Sequence, residues 1–384
     1  MPHAPPARTS TRTIGLDARN LSLPNGTGVA TYAATLAAAI RSLGLETEIL
    51  DATPNLPRPL RWLAAAWPGP ASTHPAPGTR SAADVFRIAQ VHFDIWRRLR
   101  PLSGPHPPTL MHWTYPLPLR FHGIPNLYTV HDLIPLEHPE LTGIEPRRFR
   151  RMMACIVRAA DHLVTVSETT RQALIAQFHL DPACVTNTWQ AVDVAGSDRA
   201  PPEGLTPGAY WLHVGALDVR KNLPRTIAAW RESGTPHPIV LAGPDGSATG
   251  DITAAPGPVI RLPWLARPQL LALIRDARAL LMPSLAEGFG LPVAEAMALG
   301  TPVLTSDRGA LAEIAGDAAL LIDPTEGHAI TSAIRALDAD PALRSRLAEA
   351  GPIRARLFTL QAYSARIEAL YQNHNVPVSA RRVP

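Results

Sequence analysis

Short apolar runs alternate with amphipathic stretches along this chain, and the hydrophobic period switches repeatedly between the two. IGLD at 14–17 reads as a buried strand, and Pro24, Asn25, Gly26 and Gly28 mark a loop after it. GVATYAATLAAAIRSLG then reads as an Ala-rich helix closed by Gly44, with TEIL at 47–50 as the next strand. A strand, a helix and a second strand in this order open a parallel sheet. The same reading predicts an amphipathic helix at 84–100 and a strand at TLMHW. NLYTVHDL (126–133) is an apolar strand running into a polar loop, and 145–160 is a helix with a basic first half. HLVTVS at 162–167 is a strand, and ETTRQALIAQF is the helix after it.

Two stretches lack periodicity. Residues 52–79 hold seven prolines and read as a loop or insertion, and 101–108 is again rich in proline. SDRAPPEGLTPG at 197–208 reads as a linker, after which the alternation of strand and helix restarts. The expected layout is an N-terminal domain over 1–200 and a second over 201–356. The C-terminal segment 357–384, with a last helix inside 357–372, is expected to pack back on the first domain. Both halves read as doubly wound α/β domains. Such sheets take ligands outside the carboxyl ends of their strands, so a cleft between two domains is the expected site.

Composition narrows the class. The chain has 384 residues, is 46% hydrophobic and 18% charged, and so can bury sizeable cores. A net charge of +4 is too small to imply a nucleic-acid partner. Of its 36 basic residues one is a lysine, Lys221, and the rest are arginines. Cys155 and Cys184 form neither a disulfide framework nor a cysteine metal cluster, which points to a reduced, cytoplasmic compartment. The polar, Pro-rich N-terminus lacks the apolar core of a secretory signal. No apolar stretch reaches the ~18 residues that span a bilayer. A soluble protein is expected, at most peripheral on the inner face of a membrane.

The densest chemistry lies in ALLMPSLAEGFGLPVAEAMALGTPVLTS (279–306). A buried strand ends at Ser284, and Glu287-Gly288-Phe289-Gly290 leads into a helix starting near Leu291. Glycines let a ligand approach the backbone, and a helix N-terminus offers free N–H groups to an anion. Glu287 before the helix and Glu295 inside it can line one ligand. On spacing alone, they can equally be a solvated loop residue and a residue that suits the helix dipole. A second cluster, WLHVGALDVRKNL (211–223), is a strand, a turn at Gly215, and adjacent Arg220 and Lys221 before a helix. Two cations at such a turn suit a diphosphate, although a solvated basic pair is the commoner fate.

Here the sequence resembles family 4 of the retaining glycosyltransferases, enzymes of the GT-B fold. The family carries two glutamates with seven residues between them, in a context like E-G-F-G-L-P-x-x-E-A-M-A-x-G-x-P-V. This chain has Glu287-GFGLPVA-Glu295-AMALGTPV. The resemblance implies that Glu287 faces a donor sugar and Glu295 the ribose of its nucleotide. Backbone amides at Gly288, Phe289, Gly290 and Leu291 would meet the sugar and diphosphate. A V-G-x-L-x-x-R-K-N-L segment matches Val214 to Leu223, so Arg220 and Lys221 would hold the donor phosphates. Gly26 and Gly28 lie where the family has a small-residue loop facing donor and acceptor, though no third glycine completes a dinucleotide fingerprint. V-H-D-x-x-P matches YTVHDLIP and puts His131 against the transferring sugar, with Asp132 orienting the loop. Ser167 either caps the following helix or touches the donor, and the cap is favoured. Gly243 and Trp264 fall in loops that flank the nucleobase, where Trp264 either stacks on the base or packs.

The chain departs from the family at 188–193, which reads TWQAVD in place of an N-G-V-D, and at Ala286, where an aromatic residue is usual. Asp338 and Asp340 match the D-x-D of metal-dependent transferases, but they sit between two helices, with Asp340 before Pro341, and read as a turn and helix cap. Neither metal nor cofactor is expected. The resemblance implies transfer of a hexose, first mannose from GDP-mannose, to a glycan or a lipid-diphosphate-linked acceptor in bacterial polysaccharide assembly. A UDP-sugar donor is the alternative, followed by a phosphorylase, a nucleotide-sugar epimerase or a non-catalytic binding module. The arginines at 147, 148, 150 and 151, and at 97, 98 and 100, are candidates for touching anionic lipid.

Overall fold

The structure, a computed structural model, describes residues 12–19, 21, 28–197, 204–246 and 258–376. It divides into two compact units. One holds residues 1–129, 150–164 and 364–384, and the other 130–149 and 165–363. This division differs from a single cut at 200. Residues 165–197 count with the second unit partly because Glu313 there accepts hydrogen bonds from the amides of Glu168 and Thr169 (2.7 and 2.8 Å) and from the Trp189 indole (2.8 Å).

The strands of the N-terminal half are β1 (Thr13–Asp17), β2 (Glu46–Asp51), β3 (Ala71–Ser72), β4 (His74–Ala76), β5 (Thr79–Ser81) and β6 (Arg100–Ser103). They continue with β7 (Leu110–Trp113), β8 (Leu119–Phe121), β9 (Asn126–Val130), β10 (His162–Thr165) and β11 (Val185–Asn187). Eight of them form a sheet in the order β11-β10-β9-β7-β1-β2-β5-β4, and β3, β6 and β8 form a small separate sheet. β1 runs parallel to both neighbours, with Leu16 opposite Ile49 on β2 and His112 on β7. All five residues of β9 are buried, as expected for a parallel strand covered on both faces.

Helices α1 (Gly28–Ser42), α2 (Arg58–Ala66), α3 (Val85–Trp96), α4 (Ile134–Glu137), α5 (Pro146–Ala159) and α6 (Glu168–Phe178) belong to this half of the sequence. Residues 52–79 are therefore not a featureless loop. Pro57 and Pro59 start α2 rather than block it, because the first turn of a helix has no use for those N–H groups. β4 and β5 form an antiparallel hairpin whose turn contains Gly78, at φ 70°. The proline-rich 101–108 stretch likewise begins inside β6. Half of the expected linker, residues 198–203, lies outside those described.

The second sheet contains β12 (Trp211–Val214), β13 (Ile239–Ala242), β14 (Val259–Leu262), β15 (Ala279–Met282), β16 (Val303–Ser306) and β17 (Leu320–Ile322). Its order is β14-β13-β12-β15-β16-β17, and each neighbouring pair is parallel. The chain therefore reverses its direction of winding between β12 and β15. At such a switch point the loops leave neighbouring strands in opposite directions and open a crevice. The connecting helices are α7 (Leu223–Ser233), α8 (Arg267–Arg275), α9 (Leu291–Ala298), α10 (Gly309–Ala315) and α11 (Gly327–Ala339). α12 (Pro341–Ala355) and α13 (Leu360–Gln372) follow. Trp211, Leu281, Leu304, Ile227 and Ile334 pack between sheet and helices without solvent access or nearly so. Burying each such side chain stabilises the unit by about 1.5–3 kcal/mol. Asp340 caps α12, its Oδ1 accepting from the Leu343 amide at 3.0 Å, so the D-x-D segment does structural work.

Candidate functional site

Arg220 and Lys221 follow β12, Glu287 follows β15, and the switch point lies between those strands. The tertiary arrangement brings the three together. Arg220 Nη1 donates to Glu287 Oε2 at 2.5 Å, and Lys221 Nζ donates to Oε1 at 2.6 Å. Arg220 Nη1 also reaches the Ala286 carbonyl at 2.9 Å, and the Leu285 amide donates to the Arg220 carbonyl at 2.9 Å. The turn carrying the cations is thus fastened along the loop carrying the carboxylate.

A left-handed residue permits this turn. Asn222, at φ 58°, is the hinge between the short turn 219–221 and α7, and it is buried. Its Nδ2 donates to the carbonyls of Pro283 (3.0 Å) and Pro324 (2.7 Å). Asparagine tolerates the left-handed region better than most residues, and here its amide holds two neighbouring loops. Pro224 then sits in the first turn of α7.

Electrostatics follow from burial. Burial alone would push the Glu287 carboxyl up, but Lys221 and Arg220 outweigh it and hold the carboxyl down at about 2. Burial pulls the Lys221 ammonium below its ordinary value, against the opposing attraction of Glu287. Arg220 is held above its ordinary value, chiefly by the Glu287 charge. Below this cluster His213 on β12 is fully buried, with Nδ1 on the Leu281 carbonyl at 2.9 Å. Its pKa falls to about 4 through burial and the Lys221 charge. It therefore adds no positive charge at neutral pH.

The glycines mark close backbone approaches. Gly243 follows β13 at φ 148°, and a Cβ there would lie 2.2 Å from the Gly215 carbonyl oxygen. Gly215, at φ 138°, leaves room for the Lys221 stem, which a Cβ would meet at 2.9 Å. At Gly288 a Cβ would lie 2.2 Å from the His131 carbonyl oxygen. Gly290 is left-handed (φ 95°) and precedes α9, whose first turn holds Leu291 and Pro292. Phe289 is buried, with its ring edge-on to Phe358 at 5.5 Å.

Glu295 lies on the buried face of α9 and is 1% exposed. Its Oε1 accepts from Arg267 Nη1 at 2.5 Å, and Arg267 Nη2 donates to the Asp193 carbonyl at 2.8 Å. Burial raises the Glu295 carboxyl above the usual range despite Arg267. Arg267 was not read from the sequence as a site residue. An Arg before Pro268 carries no local signal, and only the approach of α8 to α9 pairs it with Glu295.

His131 follows β9 and is half-buried, and its carbonyl accepts from Thr170 Oγ1 at 3.3 Å. Asp132 Oδ1 accepts from the Ile134 amide at 3.1 Å, which shapes the loop into α4. Ser167 is buried and caps α6, its Oγ accepting from the Thr170 amide at 3.1 Å. Trp264 is 42% exposed and so is not a core residue. Gly28 is exposed at the start of α1, and Gly26 lies outside the described residues. Trp189, inside the segment that departs from the family pattern, adopts φ 54° and is held by its indole bond to Glu313. Among the described residues no three of His, Cys, Asp and Glu gather as metal ligands.

This chemistry is an anion-receptive, glycine-lined cluster beside a permanently ionised carboxylate, at the switch point of a parallel sheet. Two family models match the chain. Residues 202–354 match "Glycosyl transferases group 1" and residues 26–195 match "Glycosyltransferase Family 4". The chain is 28% identical to O-antigen chain mannosyltransferase B of Escherichia coli, over 62% of this chain and 70% of that protein. It is 30% identical to a glycogen synthase of Mycobacterium tuberculosis, over 60% of this chain and 58% of that one. Its fold is similar to sucrose-phosphate synthase from Thermosynechococcus elongatus, with a TM-score of 0.71 at 20% identity, covering 94% and 98% of the two chains.

Proposed function

The chain belongs to the family 4 glycosyltransferases and has the GT-B fold, and from that premise we propose that it transfers a hexose from a nucleoside-diphosphate sugar with retention of anomeric configuration. The observation that carries this reading is the convergence of Arg220 and Lys221 on Glu287 at the end of β12 and β15. The two cations answer the charge that grows on a departing diphosphate, the place where electrostatic stabilisation lowers a barrier most. Their supply of fixed positive charge makes a metal ion unnecessary in this scheme.

The chemical step is a front-face displacement. The bond from the anomeric carbon to the diphosphate oxygen breaks with its electron pair going to the leaving group. The acceptor hydroxyl attacks on the same face, and its proton passes to the departing phosphate oxygen. Glu287, ionised throughout the neutral range, positions the sugar and stabilises the positive charge at the anomeric carbon. Amides at Gly288, Phe289, Gly290 and Leu291 meet the sugar and diphosphate, with His131 beside the sugar. Gly215 leaves room for the Lys221 stem that meets the diphosphate, Glu295 takes the ribose hydroxyls, and Gly243 and Trp264 flank the base. Gly26 and Gly28 serve donor and acceptor, and Ser167 acts by holding α6.

The preferred donor is GDP-mannose and the acceptor a glycan or lipid-diphosphate-linked oligosaccharide, supported by the similarity to an O-antigen mannosyltransferase. Peripheral contact with an anionic membrane fits such an acceptor. A comparable identity to a glycogen synthase favours a second reading, a UDP-linked or other glucose donor. A thermal-shift panel of GDP, UDP, ADP and their sugars separates them. Stabilisation by GDP and GDP-mannose alone supports the first reading, and a response confined to UDP or ADP species overturns it. Incubation with a radiolabelled donor tests the reaction class. Label appearing in a glycan supports transfer. Turnover without acceptor, or only with inorganic phosphate, assigns an epimerase or a phosphorylase, and donor binding with no turnover a binding module.

A further inference from the structure

Helix α2 is built inside out. Its solvent face carries Leu60, Trp62, Leu63 and Ala66, and Trp67 follows directly; Trp62, Leu63 and Trp67 are each more than 60% exposed. The charged Arg61 points inward instead, donating to the buried Asp84 at 2.5 Å and to the Leu56 carbonyl at 3.1 Å. A surface helix of a soluble protein ordinarily does the reverse. Isolated exposed apolar residues need no explanation, but a run of this kind on one helix marks an interaction surface.

The patch continues into the end of α3. Ile95 and Trp96 are exposed there. Arg98 lies over the Trp96 ring at 5.3 Å and donates to the Pro68 carbonyl at 3.1 Å, which ties the end of α3 to the segment after α2. Immediately beside it is an open pocket of about 440 Å³ lined by Arg97, Arg98, Arg120 and Arg158, with Pro68, Leu99 and Cys155 among the other lining residues. None of its lining residues is acidic, and Asp94 lies 3.6 Å from Arg97. Arg100 is not part of this surface, contrary to the expectation from sequence. It is 4% exposed and donates to the Ala64 carbonyl at 2.8 Å.

Tryptophan beside leucine, rimmed by arginines whose pocket has no acidic lining residue, is complementary to the interface of an anionic bilayer. Indole rings sit at the headgroup level, aliphatic side chains enter the acyl boundary, and guanidinium groups bind phosphate bidentately. We propose that the α2–α3 face docks on an anionic lipid surface, with Trp62, Leu63 and Trp67 entering the interface and the four-arginine pocket receiving lipid phosphate. This locates the membrane contact suggested above on a named surface, and it does not depend on the donor chemistry.

Co-sedimentation of the full chain with vesicles tests it, with no donor or acceptor present. Vesicles of phosphatidylglycerol and phosphatidylcholine are expected to retain the protein, and pure phosphatidylcholine vesicles to retain far less. Trp62→Ser with Leu63→Ser and Trp67→Ser changes only exposed side chains and is expected to abolish retention. Arg97→Ala with Arg98→Ala and Arg158→Ala is expected to weaken it on the order of a hundredfold, from loss of three surface cations. Quenching of tryptophan fluorescence by brominated lipid in the unmodified chain gives a readout independent of either variant. The proposal is overturned by equal binding to neutral and anionic vesicles, by variants that bind like the parent, or by absence of quenching. It is also overturned if the unmodified chain self-associates and the tryptophan variant restores a monomer.

Discussion

The Nζ of Lys221 donates to Oε1 of Glu287 across 2.6 Å, and each of the two side chains is only 9% exposed. The one lysine of the chain thus sits where a compact ammonium meets a buried carboxylate. Removing it leaves Glu287 leaning on Arg220 alone and withdraws charge from the leaving group. Lys221→Ala is expected to lower kcat by about 10²–10³-fold, the range seen when one preorganised charge-stabilising donor is lost. Glu287→Ala should do at least as much. Steady-state transfer assays check both, and near-parental turnover in either variant sinks the assignment.

The same pair sets the alkaline limb of the pH profile. Because burial lowers the Lys221 ammonium, its charge is lost at a lower pH than an ordinary lysine's. The donor KM should therefore rise on the alkaline side, and Lys221→Arg should move that rise to higher pH because a guanidinium stays charged. Glu287, held at about 2, stays ionised well below neutrality. An acid limb between about pH 5 and 6 that disappears in Glu287→Gln would contradict this.

Arg267 and Glu295 form the second buried pair, at 2.5 Å. Arg267→Leu leaves the Glu295 carboxyl buried without its cation, which pushes its pKa further up and makes it a poorer acceptor for ribose hydroxyls. The donor KM and the nucleoside-diphosphate Kd should rise about 10–100-fold, matching the loss of one charge-assisted hydrogen bond, while kcat changes little. Calorimetric titration of the nucleotide alone isolates the effect. A fall in kcat at constant KM would place the pair in the chemical step instead.

Two glycines make a stability comparison. Gly243→Ala drives a Cβ to 2.2 Å from the Gly215 carbonyl oxygen at φ 148°, whereas Gly204→Ala, at φ 85°, meets nothing within 4 Å. The first should cost about 3 kcal/mol or more and the second about 1 kcal/mol, the cost of the left-handed backbone alone. Urea unfolding monitored by circular dichroism separates them, and equal effects would show that Gly243 and Gly215 do not touch.

Acid stability should depend on His112. It is buried, with Nδ1 on the Tyr371 hydroxyl (2.8 Å) and Nε2 on Thr129 Oγ1 (3.0 Å), and burial lowers its pKa to about 3. Below pH about 6.5 the unfolded chain binds a proton at this histidine, while the folded chain refuses it until about 3. The stability contributed by neutral His112 is therefore complete above the unfolded value and is lost progressively as pH falls toward 3, on the order of 5 kcal/mol at most. His112→Gln should flatten unfolding midpoints between pH 4 and 6.5, and an unchanged slope would show that other groups dominate.

Much was legible in the chain alone, because parallel strands buried on both faces are written as continuous apolar runs and their helices as amphipathic ones. The strands at 211–214, 239–242 and 279–282 and the helix at 291–298 lie where that pattern puts them. The long motif from Glu287 to Glu295 also survives as local sequence, since loop and helix follow one another within one turn of chain. Where proline density hid structure, as at 58–66 and 74–81, the pattern misled, because proline begins helices and edges hairpins as readily as it ends them.

Pairing was decided elsewhere. Residues 220 and 221 meet residue 287 only because β12 and β15 are neighbours at the winding reversal, and Arg267 meets Glu295 only because α8 lies against α9. The inverted face of α2 was equally hidden, since its composition is that of an ordinary short helix until packing shows which side is turned to Asp84. The sequence by itself determined the elements, the order of their alternation and the residues able to hold a diphosphate. Only the tertiary structure decided which charges neutralise one another and which apolar side chains stay outside, because both depend on distances across the fold that no local period encodes.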